Sequence, residues 1–108
     1  MQRIGMIVGV RPELIEEYKE YHRSVWPEIE EILHRVGFRN LSIYFHGNVM
    51  FMYHEYVGER PIEEARDEYA ASEKTQEWEA LMGKYQVPLP DSPEGVRWVP
   101  MDELYHLD

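Results

Sequence analysis

The run NLSIYFHGNVMFMYHEYV, from Asn40 to Val57, leaves the chain little choice of local structure. Leu41, Ile43 and Phe45 alternate with Ser42, Tyr44 and His46; Val49, Phe51, Tyr53 and Glu55 then alternate with Met50, Met52, His54 and Tyr56. Side chains of an extended backbone point to opposite faces in turn, so each half reads as a strand. Gly47-Asn48 between the halves supplies the tight turn of a hairpin. The fold has to be built around this antiparallel pair.

The flanking sequence fixes what is added to it. Residues 3–10 form another alternating run, with Ile4, Met6, Val8 and Val10 on one side and Gly5, Ile7 and Gly9 on the other. A strand face kept nearly bare by glycines implies that another group approaches it closely. Pro12 suits the first position of a helix. Leu14, Tyr18, Val25, Trp26, Ile29, Ile32, Leu33 and Val36 then recur at helical spacing, and Gly37 is a natural stop. Pro27 has no N–H and crowds the carbonyl of Arg23, so it should kink this helix or split it. Pro61 opens a second helical region with Ile62, Ala65 and Tyr69 on one face, and Ser72 is placed to cap a further helix carrying Trp78, Leu81 and Met82. QVPLPDSPEG reads as a proline-rich loop and the tail WVPMDELYHL as a last strand. There is no internal repeat.

The resulting order, β-α-β-β-α-β, is the ferredoxin-like α+β arrangement: a four-stranded antiparallel sheet with helices on one face. A chain of 108 residues has room for one such domain, spanning 1–108. The opposite sheet face is left uncovered and carries large side chains, which calls for a partner. The economical expectation is a homodimer of the dimeric α+β barrel type, with two sheets face to face; a sheet curling around a small ligand is the other solution.

Charge and composition remove several function classes. The formal net charge of −10 repels phosphate backbones and anionic membranes, so neither nucleic acid nor a membrane surface is an expected partner. Without cysteine there can be no disulfide, thiolate metal site or cysteine nucleophile, a composition that fits the cytoplasm. The apolar run near Met1 reads as a strand and not as a signal peptide, and nothing approaches the ~20 apolar residues of a membrane span. His34, His46, His54 and His106 show no metal-ligand spacing, and phosphate-loop and nucleophile-elbow motifs are missing. No metal and no cofactor are expected.

The candidate chemistry lies on the first helix. His22 stands four residues after Tyr18 and four before Trp26, on a stripe that should be apolar. It is either a core-edge histidine bonded to a neighbour or a general acid/base in a pocket, a task that suits a group titrating near neutrality. Trp78 is either core or a stacking platform for a sugar ring, with Tyr18 and Tyr44 as polar partners for hydroxyls. Glu55 sits inside an apolar strand, where a carboxylate needs a donor. It would either orient a catalytic group or serve as a structural partner.

The stretch EYKEYHRSVWPEIEEILHRVGFRNLSIY, from Glu17 to Tyr44, resembles the L-rhamnose mutarotase family, with its Y-x-x-x-H, W-P-E, hydrophobic helix, Gly, Asn and I-Y in register. The resemblance continues weakly through MFMYHEY and TQEWEALM and recovers at PDSPEG and LYHL, covering nearly the whole chain. It implies a small ferredoxin-like dimer, free of cofactor and metal, that interconverts the α and β anomers of a pyranose. The family's proton donor falls on His22, its sugar-contacting tyrosine on Tyr18 and a binding tryptophan on Trp78; Trp26, beside the Pro27 bend, is expected at the rim of the pocket as a further substrate contact. Leu41 stands where well-known members have a tyrosine, and Glu79 where they have a second tryptophan. The expected substrate is a neutral pyranose, L-rhamnose or a related deoxyhexose, because a chain this acidic would not steer an acidic sugar. A cofactor-independent monooxygenase-like enzyme and a non-catalytic metabolite-binding protein remain alternatives on the same scaffold.

Overall fold

In the computed structural model, which describes residues 1–108, the hairpin forms where the alternation places it. Strands β2 (Phe38–His46) and β3 (Val49–Tyr56) pair antiparallel, and the turn closes at His46↔Val49 with Gly47 at φ +63°. Strand β1 (Gln2–Val10) lies antiparallel along the other edge of β3, from Gln2↔Tyr56 to Gly9↔Val49. The outer edge of β1 is shared by two short strands, β4 (Gln86–Val87) and β5 (Val99–Met101), giving the order β2-β3-β1-β4 with β5 also on β1.

That shared edge departs from expectation. The segment read as pure loop contains β4, and the strand expected over the whole tail shrinks to three residues. Gly9 explains the first point. A Cβ there would lie 2.8 Å from the carbonyl oxygen of Val87, so only glycine lets β4 come so close. The bare strand face thus finds the group that approaches it. The tail beyond Met101 lacks anchors: Leu104 and Leu107 lie in solvent, and the contact back to the sheet is the Arg3–Glu103 ion pair at 3.0 Å.

The first helical region is split. A single 3-10 turn (Pro12–Leu14) leads into α1 (Ile15–Arg23), and α2 runs from Pro27 to Val36. Pro27 occupies the first position of α2, where its missing N–H costs nothing, and the Trp26 carbonyl accepts the N–H groups of Ile29 and Glu30. Gly37 ends α2 at φ +117°, with the Tyr56 ring 3.0 Å from where a Cβ would stand. The second region also divides, into α3 (Ile62–Ala71) and α4 (Glu73–Gly83), with Ser72 at the junction. Ser72 occupies the cap position of α4, yet its side chain makes no capping bond; its carbonyl accepts the Gln76 N–H at 3.0 Å.

All four α-helices cover the sheet face that carries Val8, Val10, Met50 and Tyr56. One buried cluster gathers Val8, Val10, Tyr18, Ile29, Met50, Trp78, Met82 and Tyr85; a second gathers Ile32, Val36, Phe38, Tyr56, Ile62 and Ala65. Each large apolar side chain buried in them contributes roughly 1.5–3 kcal/mol. The opposite face carries Gly5, Ile7, Phe51, Tyr53 and Tyr44 with no helix over it. No helix is long and apolar enough to cross a membrane.

Candidate active site

A chamber of about 250 Å³ lies between helices and sheet, lined by members of both buried clusters. It opens beside a wider groove of about 590 Å³. Tyr18, His22 and Leu41 line both, so His22 sits where groove and chamber meet.

Helix α1 positions His22 through the i,i+4 relation seen in the sequence. Its Nδ1 lies 2.9 Å from the main-chain oxygen of Tyr18. A carbonyl can only accept, so Nδ1 carries the proton and the neutral ring keeps its lone pair on Nε2. The Tyr18 ring packs edge-on to the imidazole at 4.6 Å between centroids, and Trp78 stands at 6.1 Å. His22 is therefore held by a fixed hydrogen bond and two aromatic walls, with one ring nitrogen available.

The chamber combines apolar walls with a few polar groups. Tyr18 is 1 % exposed, and its hydroxyl accepts from the Gln86 amide at 2.8 Å. Burial, helped by the charge of Glu79, pushes the Tyr18 phenol up to about 12, although the Gln86 bond opposes this. Tyr18 is thus a neutral hydrogen-bonding group at working pH. Tyr69 of α3 donates to Glu79 Oε1 of α4 at 3.2 Å. Burial raises the Glu79 carboxyl above its ordinary range, while the Tyr69 bond and the Arg97 charge pull the other way. His54 of β3 is 6 % exposed and lowered to about 4, by burial first and by Arg66 second. Two deeply buried atoms of the chamber-lining residues, His54 Nδ1 and Gln86 Oε1, have no partner. Each of these enclosed atoms carries the cost of an unmet hydrogen bond. No three His, Asp or Glu side chains converge as a metal site.

The candidates read from sequence fall into two sets. His22, Tyr18 and Trp78 come together at the chamber, and Trp78 is buried core and chamber wall at once. Leu41 and Glu79, the two departures from the family pattern, also line it. Tyr44, Glu55 and Trp26 do not. Tyr44 is opposite Phe51 on the uncovered sheet face and is 66 % exposed, because β2 alternates and Ile43 and Phe45 take the inward positions. Glu55 pairs with Arg3 in register on that same outer face; Tyr53 Oη donates to it at 2.6 Å and Asn40 Nδ2 at 2.7 Å. Those two bonds hold its carboxyl below the usual range, so it is a structural partner and does not orient His22. Trp26, at the break before Pro27, packs on Trp78 at 5.1 Å outside the chamber, with Lys74 5.5 Å over its ring.

Several chamber residues were not singled out from sequence. Metal spacing was the wrong test for His54; its parity with Met50, Met52 and Tyr56, all inward, was the available signal. Gln86 was hidden in a segment read as loop, and Tyr69 was read only as one face of a helix.

A ferredoxin-like α+β chain with a histidine at the mouth of a largely apolar chamber defines a small-molecule pocket protein of this fold. The chain belongs to the L-rhamnose mutarotase family, which it matches over residues 3–107. It is 40 % identical to a UPF0734 protein of Dictyostelium discoideum over 89 % of this chain and 80 % of that one. It is 33 % identical to an L-fucose mutarotase of Xanthomonas campestris pv. campestris, covering 99 % of this chain and 89 % of the other. Among solved structures, an L-rhamnose mutarotase of Formosa agariphila superposes with a TM-score of 0.77 over the full length of both chains at 22 % identity, a likeness of fold.

Proposed function

We propose that this protein, as a single domain over 1–108, interconverts the α and β anomers of a neutral deoxyhexose such as L-rhamnose or L-fucose, with His22 as acid/base. Family membership supports the reaction class. The observation that carries the assignment to His22 is its placement: Nδ1 bound to the Tyr18 carbonyl, Nε2 free, at the junction of groove and chamber. Mutarotation needs a proton taken from the anomeric hydroxyl and one given to the ring oxygen. The C1–O5 bond opens, C1–C2 rotates and the steps reverse. A fixed imidazole with one free nitrogen can carry a proton in either direction. The chamber suits the substrate class. Leu41 and Ile43 offer apolar contact for a C6 methyl, Trp78 a wall for the C–H face, and Gln86, His54 and Tyr69 polar atoms for hydroxyls.

The test is saturation-transfer NMR between the two anomeric protons of each sugar, with the buffer rate subtracted. His22→Ala is expected to fold and to lose about 10²–10⁴-fold of the catalysed exchange. Wild-type exchange in the mutant would assign the proton to another group. Exchange at the buffer rate by the wild type with every sugar would leave a binding protein instead of an enzyme.

The second part of the proposal is a homodimer through the uncovered sheet face. Ile7, Phe51, Tyr53 and Tyr44 share that face, and Leu104, Tyr105 and Leu107 lie exposed in the tail beside it. A second copy would cover both.

A further inference from the structure

Glu79 is the only carboxyl that lines the chamber. It follows Trp78 on α4, so the helix that supplies an aromatic wall also brings an acid into a largely apolar space. Its Oε1 accepts the Tyr69 hydroxyl at 3.2 Å, which fixes the carboxyl and leaves its second oxygen free of any hydrogen bond. It is near enough to Tyr18 for its charge to act on that phenol, and Tyr18 packs directly on His22. A carboxyl from α4 and an imidazole from α1 therefore line one small chamber, at a position where the family resemblance calls for an indole that cannot transfer a proton.

We propose that Glu79 is the second proton-transfer group of the site, acting with His22. This deepens the mutarotase reading and rests on it. The free oxygen of the Glu79 carboxyl gives its proton to the pyranose ring oxygen as the C1–O5 bond breaks and its electron pair goes to O5. The electron pair of the anomeric O–H bond forms the C1=O1 double bond, and its proton goes to Nε2 of His22. Rotation about C1–C2 and reversal of both transfers close the other anomer and restore both groups, so protons and electrons balance.

The surroundings suit this division. Two titratable groups placed in unlike environments within one pocket can serve as acid and base. Burial is the largest influence on Glu79 and favours its protonated form. Facing it are Tyr69 and Arg66 of α3, Arg97 from the segment before β5, Tyr18 and His22 of α1, and His54 of β3. The phenols stay neutral because burial raises both, and His54 stays neutral because burial lowers it. The Tyr69 bond and the Arg97 charge favour the carboxylate and keep the proton transferable.

Anomer-exchange NMR against pH, with L-rhamnose and L-fucose as probes, tests the assignment in wild type, Glu79→Gln and Tyr69→Phe. Glu79→Gln should keep a folded chain, lower catalysed exchange by about 10²–10⁴-fold and abolish the fall in rate on the alkaline side. Tyr69→Phe removes a bond that favours the ionised carboxyl, so the alkaline fall of its pH profile should move to higher pH. Wild-type rate and profile in Glu79→Gln would overturn the proposal while leaving the mutarotase reading intact. A uniform loss in Glu79→Gln with the alkaline fall retained would overturn it too, assigning Glu79 to shape alone. If Glu79→Gln does not fold, the Tyr69→Phe profile decides, and an unmoved profile refutes the proposal. A wild type that never exceeds the buffer rate defeats both readings.

Discussion

Replacing His54 with methionine should make the protein's stability less sensitive to acid by a calculable amount. His54 is buried between β-sheet and helices, its Nδ1 has no partner, and burial lowers it from 6.5 to about 4. Below pH 6.5 the unfolded chain binds a proton at this histidine, while the folded chain refuses it until about pH 4. Stability therefore rises with pH through that window: the neutral-histidine contribution is complete above 6.5 and is lost as pH falls towards 4. Integrated from pH 7 to pH 4.5, one such site is worth about 2–3 kcal/mol. Methionine fills a comparable space next to Met50 and Met52 and carries no titrating group. Urea unfolding of both proteins at half-unit steps from pH 7 to 4.5 gives the difference in stability directly, because the carboxylates titrate in both and cancel. The gap between His54→Met and wild type should widen by about 2–3 kcal/mol towards the acid end. At pH 7 the mutant should be at least as stable, since an orphaned buried nitrogen has been removed. A gap that does not change with pH would show that His54 takes up its proton as freely in the folded chain as in the unfolded one, and the reasoning from its burial would fall.

Tyr18→Phe leaves the Gln86 N–H without its acceptor, and Gln86 Oε1 already lacks a donor; the loss should be about 1–3 kcal/mol by thermal or urea unfolding. Adding Gln86→Leu to that variant should recover most of it, since replacing both partners by apolar groups is nearly neutral. Sedimentation at micromolar concentration should give a dimer of the 13.0 kDa chain, and Phe51→Glu, on the uncovered face, should give the monomer. A wild-type monomer would leave the outer sheet face without a partner.

The sequence by itself determined the parts of this protein that depend on neighbours along the chain. Alternation fixed β1, β2 and β3 and which residues share a face of each, Gly47 and Gly37 placed the turn and the helix end, and Pro27 set the break between α1 and α2. The i,i+4 spacing put Tyr18 and His22 on one stripe, and the resemblance carried the family. These are properties of the 2.0 and 3.6 residue periods and of backbone sterics, so they can be read locally. Only the tertiary structure decided what lies across the chamber. His22 lies near Trp78 and shares the chamber with Glu79 because side chains of α1 and α4 meet there; His54 and Gln86 join them from two other strands, and Tyr69 from α3. Tyr44 and Glu55 drop out because one register, read through a bulge between Arg39 and Ser42, sends them to the opposite face. β4 exists because Gly9 admits it, although it was concealed among prolines. Residues as far apart as Tyr18 and Gln86 meet by long-range packing, which no periodicity records. Whether a carboxyl such as Glu79 holds its proton is then set by the burial that this packing creates.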